Sequence, residues 1–362
     1  MTTMDGSGTD LGALLTWREA STAGDAIAAA LGADPEAASG AGRILAAAQD
    51  VVVTGAGSSY YLAQVAAAVG RAVIGRPVLA VPVSEVLLRP DGVFTARTPS
   101  TEPVVVISRS GSTSEAVAAV EAASSAGHPT IGVTCRADSP MARRADVTLV
   151  SPGGDERAIV MTRSFASMLA LLLRVVADVG GDRRLVEDLD RSPRCWPEVV
   201  AAVERGDALG RRDWSRVVVL GGGPRSGLAA EWGLKLLETS QVPTSAYEPL
   251  EFRHGPMSLC EPGVLVVGLL GGPGAADEVR VLREASRLGA TTWILAGERD
   301  AVGPTEDWRD GAVDIIGPEL VPPARLPLMV TPGHALALRL ALTRGRDPDA
   351  PRHLDQVVIL EP

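Results

Sequence analysis

The sequence predicts an α/β protein of two related lobes, each a parallel sheet flanked by helices in the doubly wound, flavodoxin-like manner. Three observations carry this expectation. Short β-branched apolar runs alternate with helical stretches, and most of the runs end in a Gly- or Ser-rich loop. The whole pattern then occurs twice, with matching strands offset by roughly 160 residues, which reads as an internal duplication.

In the first lobe, Val51 to Thr54 meets Gly55-Ala56-Gly57-Ser58-Ser59 and then an Ala-rich helical stretch from Tyr60 to Val73. Val104 to Ile107 runs into the loop Ser108 to Thr113. Thr130 to Thr134 follows His128-Pro129, and Val147 to Val150 precedes Pro152-Gly153-Gly154. Alternation of this kind implies a parallel sheet covered on both faces. The second lobe opens at Val217 to Leu220, with Gly221-Gly222-Gly223 and a helix from about Leu228 to Thr239. Val264 to Leu270, Thr292 to Ala296 and Val313 to Ile316 complete its strands. The expected division is an N-terminal helical segment 1–45, a first lobe 46–180, a helical connector 181–212, a second lobe 213–345 and a tail 346–362 lying over the active site.

Composition excludes several classes. The 362 residues suffice for two α/β domains with real cores. Apolar residues make up 46%, but no uninterrupted stretch reaches the length a bilayer needs, so no membrane partner is expected. The N-terminus lacks a basic segment followed by an apolar run, which points to a cytoplasmic protein. Cys135, Cys195 and Cys260 are odd in number and show no CxxC spacing; they read as inert thiols rather than a disulfide or a metal site. No cofactor and no metal are expected. The net charge of −10, with acids and arginines interspersed, argues against a nucleic-acid partner, so an anionic ligand must be held by local groups.

One compositional feature points toward chemistry. Among 34 basic residues only Lys235 is a lysine. Arginine replaces lysine wherever a fixed charge is enough, but it cannot supply a compact amine able to lose its proton. An accidental survivor is the competing reading.

The loops are candidate anion sites. Gly57, Ser58 and Ser59 sit between a strand and a helix, where backbone N–H groups and the helix N-terminus can approach an anion. A dinucleotide fingerprint competes, but its third glycine is Tyr60 here and Ser226 in the second lobe. Ser108, Arg109, Ser110 and Thr113 add donors at the next strand end, and two such loops could share one phosphate. Ser112 and Glu115 are expected to form a capping box, which leaves Ser108, Ser110 and Thr113 unexplained by capping.

The run Ser108-x-Ser110-Gly111-x-Thr113-x-Glu115 resembles the central motif of the SIS (sugar isomerase) family. Glu231-Trp232-Gly233-Leu234-Lys235-Leu236-Leu237-Glu238, Ala246-Tyr247-Glu248 and Glu251-Phe252-Arg253-His254-Gly255-Pro256 are similar to the isomerase half of glucosamine-6-phosphate synthase. The tail Asp347-Pro348-Asp349-Ala350-Pro351-Arg352-His353-Leu354 continues the likeness, which covers the chain from about residue 45 onward. No glutaminase domain is expected ahead of the first strand.

The resemblance implies a sugar-phosphate enzyme. Lys235 and Glu238, three apart on a helix, share a face, as an ordinary ion pair would too. The family assigns such a pair to the sugar's C1–C2 proton shuttle, with Glu238 the base and Lys235 assisting. His254 would open the ring, reaching it from its own or a neighbouring subunit of a homodimer. A structural turn histidine is the competing reading. Ser58, Ser59, Ser108, Arg109, Ser110 and Thr113 would hold the small-molecule sugar phosphate, with Gly57, Glu156 and Gln356 placed beside them. Two departures stand out. Gln356 occupies the position of the family's Schiff-base lysine and cannot form an imine. Arg163 replaces a lysine in Thr162-Arg163-Ser164-Phe165 and keeps its charge.

Three functions follow from the resemblance. The first is aldose-ketose isomerisation or deamination of a hexosamine 6-phosphate by removal of its C2 proton. The second is a dehydratase or lyase that eliminates the 3-hydroxyl of an N-acetylhexosamine 6-phosphate from the same carbanion. The third is a non-catalytic sugar-phosphate sensor, against which Lys235, Glu238 and His254 argue.

Overall fold

A computed structural model of the chain describes residues 10–94, 98–298, 302–303 and 311–359. Two five-stranded parallel sheets form its framework. The first contains β1 (Val51–Gly55), β2 (Val78–Pro82), β3 (Val104–Ile107), β4 (Thr130–Thr134) and β5 (Val147–Val150), in the order β2-β1-β3-β4-β5. The second contains β6 (Arg216–Gly221), β7 (Thr244–Tyr247), β8 (Val264–Leu269), β9 (Thr291–Ala296) and β10 (Gly311–Ile315), in the order β10-β9-β8-β6-β7. Read from the other edge, that is the same topology. The doubly wound class and the duplication expected from the sequence are both present.

The central strands form because they are apolar on both faces, as a parallel sheet covered by helices requires. Every residue of β1, β3, β4, β8 and β9 is buried. Two edge strands, β2 and β7, escape the sequence pattern, since β2 is buried only at Val78 and Val81, β7 is half-buried or exposed throughout, and the two include Pro82, Thr244 and Ser245.

The chain divides into two compact units. One carries the first sheet and comprises residues 22–157, 161–193 and 355–362; the other carries the second sheet and comprises residues 1–21, 158–160 and 194–354. In the first unit, α1 (Ser58–Ile74), α2 (Ser114–Ser125) and α3 (Arg163–Gly180) cover the sheet. Thirteen residues of α3 are buried, and each large one contributes about 1.5–3 kcal/mol. In the second unit, α4 (Trp196–Gly210), α5 (Arg225–Ser240), α6 (Ala275–Arg287) and α7 (Thr331–Thr343) do the same. Asp349, from the tail motif, caps the N-terminal helix Leu15–Ala20 here, accepting from Leu15 N at 2.7 Å and Thr16 N at 2.8 Å. Among the described residues one stretch, Pro322–Thr343, has the length and apolar character of a membrane span; 89% of an apolar 18-residue segment within it is buried inside the protein, as in a core helix.

In each sheet the chain reverses direction of winding beside the first strand of the lobe, between β1 and β3 and between β6 and β8. Open α/β sheets bind ligands at the carboxyl ends of those strands. The Ser-rich loops leave β1 and β3 at that edge.

Candidate functional site

In the first unit, Gly57 adopts φ 55° and ψ −126°, a conformation open to glycine, and its carbonyl accepts from Tyr60 N at 2.9 Å. The turn starts α1 at Ser58, so both serines lie in its first turn, 6% and 5% exposed. Ser108, Arg109 and Ser110 after β3 are equally buried. Ser108 Oγ accepts from Gly111 N at 3.2 Å and Ser110 Oγ accepts from Ser112 N at 3.1 Å. Each hydroxyl therefore spends a lone pair on the loop and keeps its proton to donate.

The expected capping box does not form. The N-cap of α2 is Thr113 without a side-chain hydrogen bond, and Ser112 Oγ instead donates to Ser110 O at 3.3 Å. A tail carbonyl serves the helix end, Val358 O accepting from Ser114 N at 3.2 Å.

Arg109 is held by a buried carboxylate. Its Nη1 lies 3.6 Å from Glu156 Oε1, with side chains 5% and 0% exposed, and its Nη2 donates to Gln356 O at 2.8 Å. Glu156 also accepts from Thr162 N at 2.9 Å, from Thr162 Oγ1 at 2.6 Å and from Ser164 Oγ, at the start of α3. Its oxygens are committed to protein donors, so it meets Arg109 and the α3 terminus. Gln356 closes the circuit, Nε2 donating to Glu156 O at 2.8 Å. Cys135 lies in the same region; burial first, then Glu156 and Asp155, push its thiol far above the usual range and keep it protonated.

In the second unit, α5 brings Glu231, Lys235 and Glu238 onto one face by their four- and three-residue spacing. Lys235 Nζ is hydrogen-bonded to Glu238 Oε2 and lies 3.7 Å from Glu231 Oε1. Glu231 is 0% and Lys235 2% exposed, while the Glu238 side chain is 19% exposed. The pair therefore presents its carboxylate outward and its amine inward. His254 is exposed on the loop after helix Pro249–Phe252, which Glu248 caps through Leu250 N at 2.8 Å. Buried Phe252 and a two-pronged Arg253–Glu284 contact at 2.8 and 2.7 Å tie that loop down.

The second lobe's own switch point is filled. Glu278, on α6, takes Arg225 Nη2 at 3.1 Å and Gly271 N at 3.3 Å, while Arg225 Nε donates to Leu269 O at 3.0 Å. A Cβ at Gly222 would sit 2.6 Å from Glu278 Oε1, so the carboxylate lies directly on the glycine loop. The structure thus gathers Ser58, Ser59, Ser108, Arg109 and Ser110 as buried donors of the first unit and pairs Lys235 with Glu238 in the second.

Sequence reasoning missed three participants. Glu231 was available from its four-residue offset to Lys235. The Arg225–Glu278 pair, 53 residues apart, gave no local signal. His334, on α7, is 2% exposed with neither ring nitrogen hydrogen-bonded, and carried none either.

The family model for the SIS domain matches residues 44–177 and 212–306. The glutamine–fructose-6-phosphate aminotransferase (isomerizing) of Aeropyrum pernix is 30% identical over 89% of this chain and 52% of its own length, so the chain spans about half of that relative. A Streptomyces coelicolor protein provisionally named D-galactosamine-6-phosphate deaminase AgaS is 33% identical over 83% of this chain and 80% of its own. The crystal structure of glucosamine-6-phosphate deaminase from Thermotoga maritima superposes with a TM-score of 0.77 at 27% identity, covering 95% of this chain and 99% of that one. Tagatose-6-phosphate ketose/aldose isomerase from Escherichia coli shares the fold, with a TM-score of 0.79 at 22% identity over 98% and 99% of the two chains.

Proposed function

Because this chain belongs to the SIS domain family, we propose that it is a sugar-phosphate enzyme that isomerises and deaminates a hexosamine 6-phosphate. The observation that carries the proposal is the Lys235–Glu238 pair, a half-shielded carboxylate on a buried ammonium formed by the only lysine in the chain. Two relatives with free-amine hexosamine 6-phosphates in their names support that substrate class.

Glu238 takes the C2 proton of the open-chain sugar, and the electron pair passes toward C1. Returning the proton to C1 leaves C2 as an imine; water adds there, ammonia departs, and a ketose phosphate remains. Lys235 offsets the charge that develops on the oxygen at C1. His254 supplies the proton movement that opens the ring. Ser58, Ser59, Ser108, Ser110 and Thr113, with the N-termini of α1 and α2, donate to the phosphate. Glu156 and Gln356 fix Arg109 beside them. Gln356 offers no amine for an imine, so the deamination runs without a Schiff base at that position. His254, exposed on a loop rather than on the α5 helix that carries Lys235 and Glu238, supports a homodimer that shares it; sedimentation at the mass of a single chain would exclude that arrangement.

Proton NMR in D2O is the test, with glucosamine, galactosamine and N-acetylglucosamine 6-phosphates offered separately. Deuterium enters C2 of a free-amine sugar while ammonia and ketose phosphate accumulate, and Glu238→Gln slows this by about 100-fold or more. An undiminished rate in that variant removes Glu238 as the base. Loss of C3–H with a vinylic proton from the N-acetyl sugar instead establishes the elimination.

A further inference from the structure

Beside the Lys235–Glu238 pair stands a third charged group that the proposed reaction does not use. Glu231 lies one helical turn before Lys235, its Oε1 3.7 Å from Nζ, and Glu238 lies one turn after, hydrogen-bonded to the same nitrogen. The three differ in burial. Glu231 is 0% and Lys235 2% exposed, whereas the Glu238 side chain keeps 19%. The ammonium therefore sits between an outer carboxylate that can meet a substrate and an inner one that cannot.

The helix under this cluster is fixed. Trp232 Nε1 donates to Met329 O at 3.1 Å, and Thr239 Oγ1 lies 2.8 Å from Lys235 O and 3.2 Å from Ala337 O, so α5 is pinned on both sides of Lys235. Of the elements that pack most closely on α5, β8 and the turn Leu326–Met329 carry no titratable side chain, β6 and β7 contribute Arg216 and Tyr247, and α7 contributes His334 and Arg339. Arg339 donates to Asp207 at 2.6 Å, and burial first, then the Lys235 charge, hold His334 neutral. None of these is a carboxylate, so the counter-charge within this packing lies on α5 itself.

Two carboxylates and one ammonium give the cluster a net negative charge, which falls to zero when Glu238 takes a proton. With Glu238 as the sole counter-charge, the same step would run from neutral to positive around an ammonium that is 2% exposed, and burial opposes that. We propose that Glu231 is a positioning residue, the standing counterion that keeps Lys235 charged and in place while Glu238 carries the C2 proton.

The proposal rests on Glu238 as the base, but its first test needs no substrate. Lys235 is the only lysine, so lysine labelled at 15Nζ and 13Cε gives one side-chain signal to titrate, and Glu238→Gln stands in for the protonated acid. In Glu238→Gln the ammonium persists beyond about pH 8, and adding Glu231→Gln lowers its titration by roughly two units. Titration at the same pH with and without Glu231 overturns the proposal, because the buried acid then carries no charge. Deprotonation below about pH 8 in Glu238→Gln alone overturns it too, and that measurement decides the matter if Glu231→Gln fails to fold. With substrate, Glu231→Gln lowers kcat for C2 exchange about tenfold or more and leaves KM within about twofold; an unchanged kcat is a third contrary result. Should no sugar phosphate exchange at C2, the proposed reaction fails while the lysine titration still judges Glu231.

Discussion

Arg109 is a buried cation already matched by Glu156, so the first-unit site offers hydroxyls and helix ends rather than a bare positive charge. Each donor then contributes a modest share. Ser110→Ala weakens inorganic phosphate binding by about five- to tenfold, the loss of one hydrogen bond of about 1 kcal/mol, as read by calorimetric titration; unchanged affinity removes Ser110 from the site. His334 makes the opposite kind of contribution, because it is buried neutral. Its folded pKa of about 3 lies below the 6.5 of the unfolded chain. Between those values the unfolded state binds more protons, so stability is complete above pH 6.5 and falls as pH drops toward 3. The slope approaches about 1.4 kcal/mol per pH unit well inside that window. Urea midpoints at pH 7 and pH 5 check this: His334→Gln flattens the difference, and an equally steep fall in that variant refutes the assignment.

Among the elements, α5 and α7 approach closely because Gly333 leaves room for the Trp232 indole; a Cβ there would lie 2.7 Å from Nε1. Gly333→Ala forces that contact apart and destabilises the chain by about 1–3 kcal/mol, measured by urea unfolding; a midpoint equal to wild type would show that the helices yield without strain. The same crossing explains what the sequence could and could not tell. Strands β3, β4 and β5 match their β-branched runs residue for residue; β3 and β4 are buried throughout, and β5 at the sheet edge is mostly half-buried. Lys235 and Glu238 are legible because helical spacing places them on one face. His334 is 99 residues from Lys235 in sequence, and only the tertiary fold lets the Lys235 charge act on it. The Ser112 and Glu115 cap fails because a carbonyl from Val358, far along the chain, serves the N-terminus of α2. Edge strands β2 and β7 were hidden by half exposure, and the commitments of Glu156 to Thr162 and Ser164 by a turn that the sequence does not spell out.

For the whole molecule, duplication gave two sheets of the same order, but their switch points have diverged. The first presents buried serines; the second closes on Arg225 and Glu278. Inorganic phosphate therefore saturates at one equivalent per chain by 31P titration, and two equivalents of similar affinity would contradict this division. The closed site has a further consequence. Glu278 is a ligand that the chain carries with it, tethered beside Gly271 N and Arg225 at an effective concentration in the millimolar range or above. A free anion must outcompete that standing occupant before it gains any contact of its own. The second lobe's own switch point is thereby shielded from free phosphate.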